Sequence, residues 1–385
     1  MEHTERYVDK LAKYIIAAAG AGIICAICWY FRSVLVYILA AVVVSLIAKP
    51  IMGGLQKIRI KGWKAPDWFL AALTLFLVLT TFFTVLTLII PIVSGILKGI
   101  SMSSIESAAG QIAVPLANLN ETLRSMFPKL GNDFRIEMML IGEIHKLFDI
   151  SAISSMIGSA TSFLTSLGIG LFSVVFIGFF FIKDDGLFTN IVCSLVPDKH
   201  EKNTERAIAD IGHLLSRYFI GVLIEVVGVA LLNFLGLMFI ARMGFNAAIG
   251  IAFLTGILNI IPYVGPLMGG ALGTILSLVL KYSSATPLGL DVNFWIFTGI
   301  LVAIFAFTQL VDNFLYQPVI YSTSIKSKPL EIFIVLLVVG HIGGPLAMIV
   351  AIPCYTVVRV IAFRFFRHIK AIRRLIPSER LITGE

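Results

Sequence analysis

The sequence predicts an all-α polytopic membrane protein, with six spanning helices plus two re-entrant hairpins, or with eight spans. Of its 385 residues, 58% are apolar and only 14% are charged, and the mean hydropathy is +0.96. A soluble chain of this length needs a more polar surface. Helices are the expected spanning element because they satisfy their backbone polar groups internally, whereas a barrel would show short alternating segments. The apolar runs that carry the pattern lie at 15–31, 34–48, 68–97, 156–182, 218–241, 247–280, 292–311 and 330–361.

The distribution of basic residues predicts how these runs are oriented. Cytoplasmic loops are rich in Lys and Arg, and such residues crowd the N-terminus, segment 49–67, segment 183–217 and the tail after residue 361. If the N-terminus and segment 49–67 both lie inside, the first two apolar runs, which only Arg32-Ser33 separates, must form two crossings. Segment 98–155 then lies outside, and both termini are cytoplasmic.

This orientation divides the chain into six parts. They are residues 1–97 with the N-terminal transmembrane helices, 98–155 as an extracytoplasmic amphipathic helical segment, 156–182 as a transmembrane helix, 183–217 as cytoplasmic amphipathic helices, 218–361 as a core with two broken helical stretches, and 362–385 as a basic juxtamembrane tail. In the tail, basic and apolar residues alternate at helical spacing. This pattern predicts a helix that lies along anionic lipid headgroups.

Two parts outside the membrane carry an apolar helical face. The positions are Leu116, Leu119, Leu123 and Phe127 in segment 98–155, and Ile208, Ile211, Leu215 and Tyr218 from segment 183–217 into the next run. This spacing indicates amphipathic helices. We interpret each as a helix that lies on the rest of the protein or at the membrane interface, in preference to a catalytic domain.

Two apolar stretches are too long to be single straight spans. Stretches 247–280 and 330–361 would be about 51 and 48 Å long as helices, whereas the hydrocarbon core is about 30 Å thick. Each is interrupted near its middle, by NIIPYVGP at 259–266 and by GHIGGP at 340–345. Pro removes a backbone donor and Gly relaxes the backbone, so both sites should break the helix. The alternative is a pair of ordinary Pro-kinked spans.

Paired breaks of this kind are typical of the binding sites of transporters, because broken backbone at membrane depth must be buried in protein or line a wet cavity. We therefore expect Pro262, Gly265, Gly343 and Gly344 to form two breaks that face each other around a solvent-accessible cavity. If the stretches are hairpins, loop 312–329 is cytoplasmic and loop 281–291 is not.

Four small residues follow the first break at a spacing of four. They are Gly265, Gly269, Gly273 and Ser277. Small residues at this spacing make a smooth helix face that a second helix can approach closely.

Polar residues inside the apolar runs are the candidate functional residues, since ionisable groups in a membrane are costly. Gln309, Asp312, Asn313 and Gln317 share one face of an α-helix, and Glu225 lies about seven residues into its own run. Asp312 and Gln317 could instead cap a helix beside Pro318, and Glu225 could be a hydrogen-bonded packing residue. The predicted substrate or ion pathway comprises Glu225, Asn259, Pro262, Gly265, Pro266, Gln309, Asp312, Asn313, Gln317, His341, Gly343 and Gly344.

Several other classes of function are not supported by the sequence. It has no HExxH, GxSxG or GxxxxGK[ST] motif, so neither membrane proteolysis nor ATP-driven transport is indicated. His341 has no second His or Cys at ligand spacing, and no metal site is predicted. Cys25 and Cys28 lie within an apolar run and are interpreted as small helix residues. The basic residues flank the membrane and form no domain suited to nucleic acid.

Taken together, the motifs resemble those of the autoinducer-2 exporter family of bacterial membrane proteins. The resemblance rests on NIIPYVGP at 259–266, QLVDNFLYQP at 309–318, Pro329 and the stretch from Gly343 to Pro353. It extends upstream through Pro197, Ile211, Leu215, Tyr218 and Gly221. The chain departs from the family pattern after Gly221, where Val222 and Leu223 stand and a Gln is frequent.

The resemblance implies a transporter of the bacterial inner membrane, without a cofactor, in which a mobile part carries the site against a fixed scaffold. It implies a homo-oligomer, with a pentamer as one arrangement, and makes residues 218–361 the transport core. The implied function is export of a small solute like the signal autoinducer-2. Two alternatives stay open: a sodium or lithium–proton antiporter, and a membrane scaffold that transports nothing.

Overall fold

The computed structural model describes residues 15, 19–20, 22–23, 26–57, 65–99, 102–126, 170–184, 186–283, 288–320 and 329–366. Every regular element within these residues is a helix, which confirms the all-α prediction. The chain divides into two compact units, one of Met1–Phe76 and Leu164–Phe188, and the other of Leu77–Phe163 and Thr189–Glu385. The polar residues singled out above all belong to the second unit.

The helices in chain order are α1 (Arg32–Gln56), α2 (Asp67–Gly99), α3 (Met102–Met126), α4 (Gly170–Lys183), α5 (Leu187–Ser194), α6 (Asp198–Leu235), α7 (Phe245–Leu258), α8 (Val264–Ser283), α9 (Phe294–Val311), α10 (Gln317–Ile320) and α11 (Pro329–Phe365). A π-helical turn, Gly236–Ile240, continues α6. A second π-helical turn, Asp312–Tyr316, joins α9 to α10.

Six of the described helical segments are long and apolar enough to cross a membrane, so the chain is a multi-pass membrane protein. They are Arg32–Gln56, Asp67–Ile92, Asp198–Ile240, Val264–Tyr282, Phe294–Ile320 and Ala347–Phe365. Of the predicted span 156–182, the structure describes only the part in α4, and residues 156–169 lie outside the described residues.

The first two apolar runs are joined without a tight turn. The amide of Phe31 donates to the carbonyl of Ile27 at 2.9 Å, and the amide of Leu35 donates to the carbonyl of Phe31 at 3.1 Å. Hydrogen bonds of helical spacing thus flank Arg32-Ser33, although Phe31 itself leaves the helical region with φ −92° and ψ 21°. This connection does not favour the hairpin that two separate crossings require, and the side on which the N-terminus lies stays a prediction.

Helix α6 runs through the predicted boundary between the segment 183–217 and the next span. It is continuous over 38 residues, which corresponds to about 57 Å. Since the hydrocarbon core is about 30 Å thick, a large part of α6 must extend beyond it. In the apolar part, Leu223 and Val227 are exposed while Glu225 and Val229 are buried. One face is thus available to lipid, and the other faces the protein.

Both predicted helix breaks are present. Helix α7 ends at Leu258, and α8 begins only at Val264. In α11 the backbone of Gly344 leaves the helical region, with φ 68° and ψ −164°. Each long stretch thus joins a short apolar helix to one long enough to span, and α7, at 14 residues, covers only about 21 Å. Whether the stretches are re-entrant stays a prediction.

The amphipathic part of segment 98–155 forms helix α3, which lies on the protein's own helices. Ile112 and Leu116 are buried in one cluster with residues of α7, α8 and α9. Leu119 is half-buried. Phe127 lies outside the described residues. The prediction of a helix packed on the rest of the protein is confirmed for α3.

Of the clusters of buried side chains in the described part of the second unit, two surround the polar residues, and a smaller one joins Ala207 and Leu214 to Val360 and Phe363. The first joins α3 and α6–α9 and contains Leu237, Ile251, Leu276, Val279, Phe297 and Leu301. The second joins α6, the first break, α10 and both halves of α11, and contains Tyr218, Ile261, Ile320, Ile332, Leu336 and Met348. The polar residues of α7 and α9 lie in helices of the first cluster, and α6 contributes to both clusters.

The predicted smooth face of α8 packs as expected. A Cβ atom on Gly273 would lie 2.4 Å from the ring of Phe305 and 3.0 Å from Thr255, and one on Gly269 would lie 3.3 Å from the carbonyl oxygen of Thr255. The small residues therefore let α8 approach α7 and α9 closely.

Of the tail 362–385, only the part up to Phe366 is described, and the predicted lipid-binding helix lies largely outside these residues.

Candidate functional site

The buried face of α6 carries a carboxyl and an amide. Glu225, Val229 and Asn233 follow one another at a spacing of four and lie on one helix face. Glu225 is only 7% exposed and Asn233 only 2% exposed. In a membrane protein such groups persist only when they are paired, hydrated or used.

Asp312 is the most deeply buried charged residue of the site, with a relative exposure of 0%. It opens the π-helical turn Asp312–Tyr316. A π-turn places residues five apart above one another, and Gln317 Nε2 accordingly donates to Asp312 Oδ2 at 2.8 Å. Gln317 is buried as well.

The π-turn corrects the prediction that four polar side chains share one helix face. Asn313 is exposed, and its Oδ1 accepts a hydrogen bond of 2.8 Å from Gln309 Nε2. Asp312 and Gln317 point into the protein. The prediction was wrong because it assumed the period of an α-helix across a turn that is wider. The four residues form two separate pairs.

The two buried carboxyls meet. The carboxyl groups of Glu225 and Asp312 lie within hydrogen-bonding reach of each other. Asn259 Nδ2 donates to Glu225 Oε1 at 3.0 Å, and Asp312 Oδ1 has no hydrogen-bond donor in the described part of the chain. Ionised carboxylates can only accept hydrogen bonds, so the contact becomes a hydrogen bond only when one of them carries a proton.

The charge of this pair is the main chemical property of the site. The two amides that donate to it, Asn259 and Gln317, are neutral. Two like charges at this separation in a buried site repel strongly. The arrangement is therefore suited to holding one proton or one cation between the carboxyls.

The first helix break positions Asn259. The chain turns there with a positive φ of 64° at Tyr263, a conformation that is costly for a residue other than glycine and often marks a functional site. A Cβ atom on Gly265 would lie 1.9 Å from the carbonyl oxygen of Leu258. Only glycine permits this close return of the chain, which brings Asn259 at the end of α7 against α6.

A small polar cavity adjoins the carboxyl pair. Its volume is about 20 Å³, which is room for about one water molecule. Asn233 Nδ2 donates to Thr255 Oγ1 at 2.9 Å beside it. Asn233 Oδ1 and Thr308 Oγ1 are buried without a hydrogen-bond partner among the described residues. The lining residues are Val229, Asn233, Thr255, Asn259, Pro266, Gly269, Gly270, Phe305, Thr308 and Gln309.

Two larger cavities lie elsewhere in the second unit. One, of about 580 Å³, is lined by residues of α2, α8 and the start of α7, among them Pro91, Phe245 and Leu280. The other, of about 560 Å³, lies between α6 and α9 and is lined by Leu232, Phe239 and Phe307, among others. Both linings are mainly apolar and contain neither carboxyl of the pair.

The structure brings together some of the predicted pathway residues and not others. Glu225, Asn259, Asp312 and Gln317 form one buried hydrogen-bonded group. Pro266 and Gln309 line the adjoining cavity, and Pro262 and Gly265 are buried in the first break. The described lining of the cavity contains no residue of the second break.

The second break is exposed where the first is buried. His341 and Gly343 are exposed, and Ile342 between them is 80% exposed. The first break instead contacts the preceding half of α11, where the rings of Tyr263 and Phe333 meet edge to face with centroids 5.6 Å apart. These contacts do not show the two breaks on either side of a common cavity, and that arrangement stays a prediction.

Three residues of the site were missing from the predicted pathway. Thr255 stands four residues before Asn259, Thr308 stands four before Asp312, and Asn233 stands eight after Glu225. Each shares a helix face with a residue that was predicted. The signal that could have found them is this spacing, counted from every polar residue within an apolar run.

The known proteins that this chain resembles are described as transport proteins. A family model described as "AI-2E family transporter" matches residues 19–366, which is most of the chain. Among similar proteins of Bacillus subtilis (strain 168), the "Putative transport protein YueF" is 29% identical over 222 residues, which are 58% of this chain and 56% of that protein. The "Putative transport protein YrrI" is 23% identical over 195 residues, which are 51% of each chain. The matches span about half the length of both relatives.

Proposed function

Because this chain belongs to the AI-2E transporter family, we propose that it is a secondary transporter that exports a small solute in exchange for protons. Its site is the carboxyl pair of Glu225 and Asp312, and residues 218–361 form its transport core. We place it in the bacterial inner membrane as a homo-oligomer, with its basic tail on anionic lipid.

The observation that carries this proposal is the pairing of two buried carboxyls whose hydrogen-bond donors among the described residues are neutral amides. Gln317 and Asn259 donate to the pair and supply no positive charge. A proton or a cation is the species that relieves the repulsion between the carboxylates. Intramembrane carboxyls that can gain and lose such a charge are typical of proton-coupled pumps and transporters.

Exchange follows from the two charge states of the pair. When one proton is bound, Glu225 and Asp312 share a hydrogen bond and the contact is closed. When the proton leaves, the two negative charges repel each other, and the site favours a cation or a solute with hydrogen-bond donors. A cargo that binds only the proton-free state can shift the equilibrium between states by its difference in affinity. A proton that binds from one side then displaces the cargo on that same side, and the protonated pair releases its proton on the other side, where new cargo binds.

Two kinds of cargo compete. The first is a small polar signal molecule like autoinducer-2, which the description of the family favours. The second is a sodium or lithium ion exchanged for protons. The specific observation in its favour is the polar cavity of about 20 Å³ beside the pair, because this volume suits a single water-sized species.

The test is flux through proteoliposomes that contain the full chain, driven by a pH gradient. The panel comprises sodium, lithium, autoinducer-2 and proton movement. We expect flux of one cargo in the wild type and its loss in Glu225→Gln and in Asp312→Asn, since both changes keep size but remove charge. Asp184→Asn, which alters an exposed carboxylate after α4, is the matched control and should transport normally.

Two results would contradict the proposal. If both variants transport at the wild-type rate over about pH 6 to 8, the window that a tuned carboxylate can cover, facilitated diffusion is the better account. If no cargo moves in any orientation of the gradient, the scaffold alternative is favoured.

A further inference from the structure

We propose that the polar cavity beside the carboxyl pair is a binding site for one dehydrated monovalent cation, formed by uncharged oxygen atoms and separate from the carboxyls themselves. The inference rests on the proposed function and names a second ion position within the same transport core. Its ligands are Asn233 Oδ1 and Thr308 Oγ1, with Asn259 joining this cavity to Glu225.

The orientation of the Asn233 amide is fixed by its neighbours. Asn233 Nδ2 donates to Thr255 Oγ1 at 2.9 Å, and Thr255 Oγ1 in turn donates to the carbonyl oxygen of Ala252 at 3.0 Å. The Thr255 hydroxyl has only one hydrogen, so it cannot donate to Asn233 as well. A flipped amide would place oxygen against oxygen. Asn233 Oδ1 is therefore the atom that is left for the cavity.

Two buried oxygens thus lack a partner at one small cavity. Asn233 is 2% exposed and Thr308 is 4% exposed, and neither Asn233 Oδ1 nor Thr308 Oγ1 has a hydrogen-bond partner in the described part of the chain. Buried polar atoms without partners are rare in native proteins and indicate an occupant, which is an ordered water or an ion. Asn233 Oδ1 is an acceptor only, so the occupant must donate a hydrogen bond or be a cation.

Charge and size favour a monovalent cation. Mg²⁺ and Ca²⁺ are usually held by carboxylates together with other oxygens, whereas the oxygens here belong to amides and hydroxyls. The volume of about 20 Å³ is that of a single water, so the ion would enter without its hydration shell. The carboxyl pair next to the cavity supplies a negative field that burial leaves largely unscreened.

Asn259 connects the two positions. It lines the cavity, and its Nδ2 donates to Glu225 Oε1 at 3.0 Å. A cation in the cavity attracts the amide oxygen and polarises the amide group, which strengthens the hydrogen bond from Nδ2 to an ionised Glu225. The cation and the ionised pair thereby stabilise each other through one side chain.

The experiment measures ion-specific stabilisation of the purified full chain in detergent. Thermal unfolding is followed at constant ionic strength while choline is replaced by sodium or lithium, since a bound ion raises the stability of the folded state. We expect a saturable rise of Tm in the wild type. In Thr308→Val, which removes only the hydroxyl, the half-saturating concentration should increase at least about tenfold, and Asn233→Leu should behave likewise. Thr308→Ser keeps the hydroxyl and should restore the wild-type value.

Two further variants test the position of the site. Thr274→Val is the matched control, because Thr274 Oγ1 already donates to the carbonyl oxygen of Gly270 at 2.7 Å and does not line the cavity. It should leave the ion dependence unchanged. Glu225→Gln should still show a sodium or lithium effect, since the ligands of this site are uncharged, but at a higher half-saturating concentration, because the negative field of the pair is weakened.

The outcomes separate the inference from the proposed function. If the wild type shows no difference between choline and either alkali ion, the cavity holds water and the inference is overturned. If Thr308→Val and Thr274→Val respond like the wild type, the ion binds elsewhere and the inference is again overturned. If the ion effect depends on Thr308 but proteoliposomes show no flux, the site stands and the proposed function fails.

Discussion

At the scale of single residues, the π-helical turn at Asp312 separates neighbours in the sequence into different environments. Asp312 and Gln317 are buried and paired at 2.8 Å, while Asn313 is exposed and paired with Gln309. π-turns within α-helices are frequent at functional sites. Here the wider turn presents a carboxyl and its donor to the same side.

This difference predicts unequal effects of two similar substitutions. Gln317→Ala removes the donor to a buried carboxyl, so we expect loss of transport and a decrease of about 1–3 kcal/mol in the free energy of unfolding. Asn313→Ala removes a partner from an exposed pair and should change stability by less than about 0.5 kcal/mol. The measurements are flux through proteoliposomes and denaturant unfolding, made on both variants. Equal effects would show that the two pairs are not distinct.

At the scale of secondary-structure elements, the break between α7 and α8 is the feature that assembles the site. The chain returns so tightly after Leu258 that Gly265 lies against its carbonyl oxygen, and the turn holds Tyr263 at a positive φ. The smooth face of α8 then packs on Thr255 and Phe305. As a result, the end of α7 places Asn259 within hydrogen-bonding distance of Glu225 on α6.

The break predicts a strong effect of one methyl group. In Gly265→Ala the new Cβ would lie 1.9 Å from a backbone oxygen, so the turn must open. We expect a loss of about 3 kcal/mol or more in the free energy of unfolding, at the upper end of what overpacking costs. Gly299→Ala is the control, because a Cβ there meets nothing within 4 Å. It should be neutral or stabilise α9 by up to about 1 kcal/mol. Similar unfolding midpoints for both variants would contradict the described turn.

At the scale of the whole molecule, features that depend on the local sequence were predictable, and features that depend on how the helices pack were not. The breaks were predictable because Pro262 and Gly344 act on their own backbone. Glu225 and Asp312 stood out because each is a carboxyl in an apolar run. Their meeting was not predictable, since it depends on how α6, α7 and α9 pack, and no local composition marks a π-turn.

The role of Thr308 at the small cavity could not be predicted, for a different reason. Thr and Ser within apolar helices commonly donate to the carbonyl four residues earlier, as Thr274 and Ser277 do here. Thr308 has the same local sequence context but no such partner in the described part of the chain. Only the packed structure distinguishes a hydroxyl that is satisfied by its own helix from one that is available to a ligand.

The last prediction concerns which loops face the cytoplasm. Residues 312–320 of the predicted loop 312–329 are helical and belong to the segment Phe294–Ile320. If stretches 247–280 and 330–361 are re-entrant, the rest of that loop is cytoplasmic and loop 281–291 is not. The short helices α7 and Leu330–Gly344 do not cover the hydrocarbon core alone at about 1.5 Å per residue, whereas the segments Val264–Tyr282 and Ala347–Phe365 that follow them are long enough to span. Lys326 and Lys328 favour an inner position for the second loop.

Single cysteines at Ser284 and Ser324, in a variant without native cysteines, test these positions in intact cells. A membrane-impermeant thiol reagent should label position 284 and leave 324 protected until the cells are opened. The native cysteines must be replaced first, so that only the introduced cysteine can react. They are Cys25 and the free Cys28, Cys193 and Cys354. Labelling of 324 with protection of 284 would mean that both stretches span the membrane, because two added crossings reverse the sides of these loops while they leave the C-terminus inside.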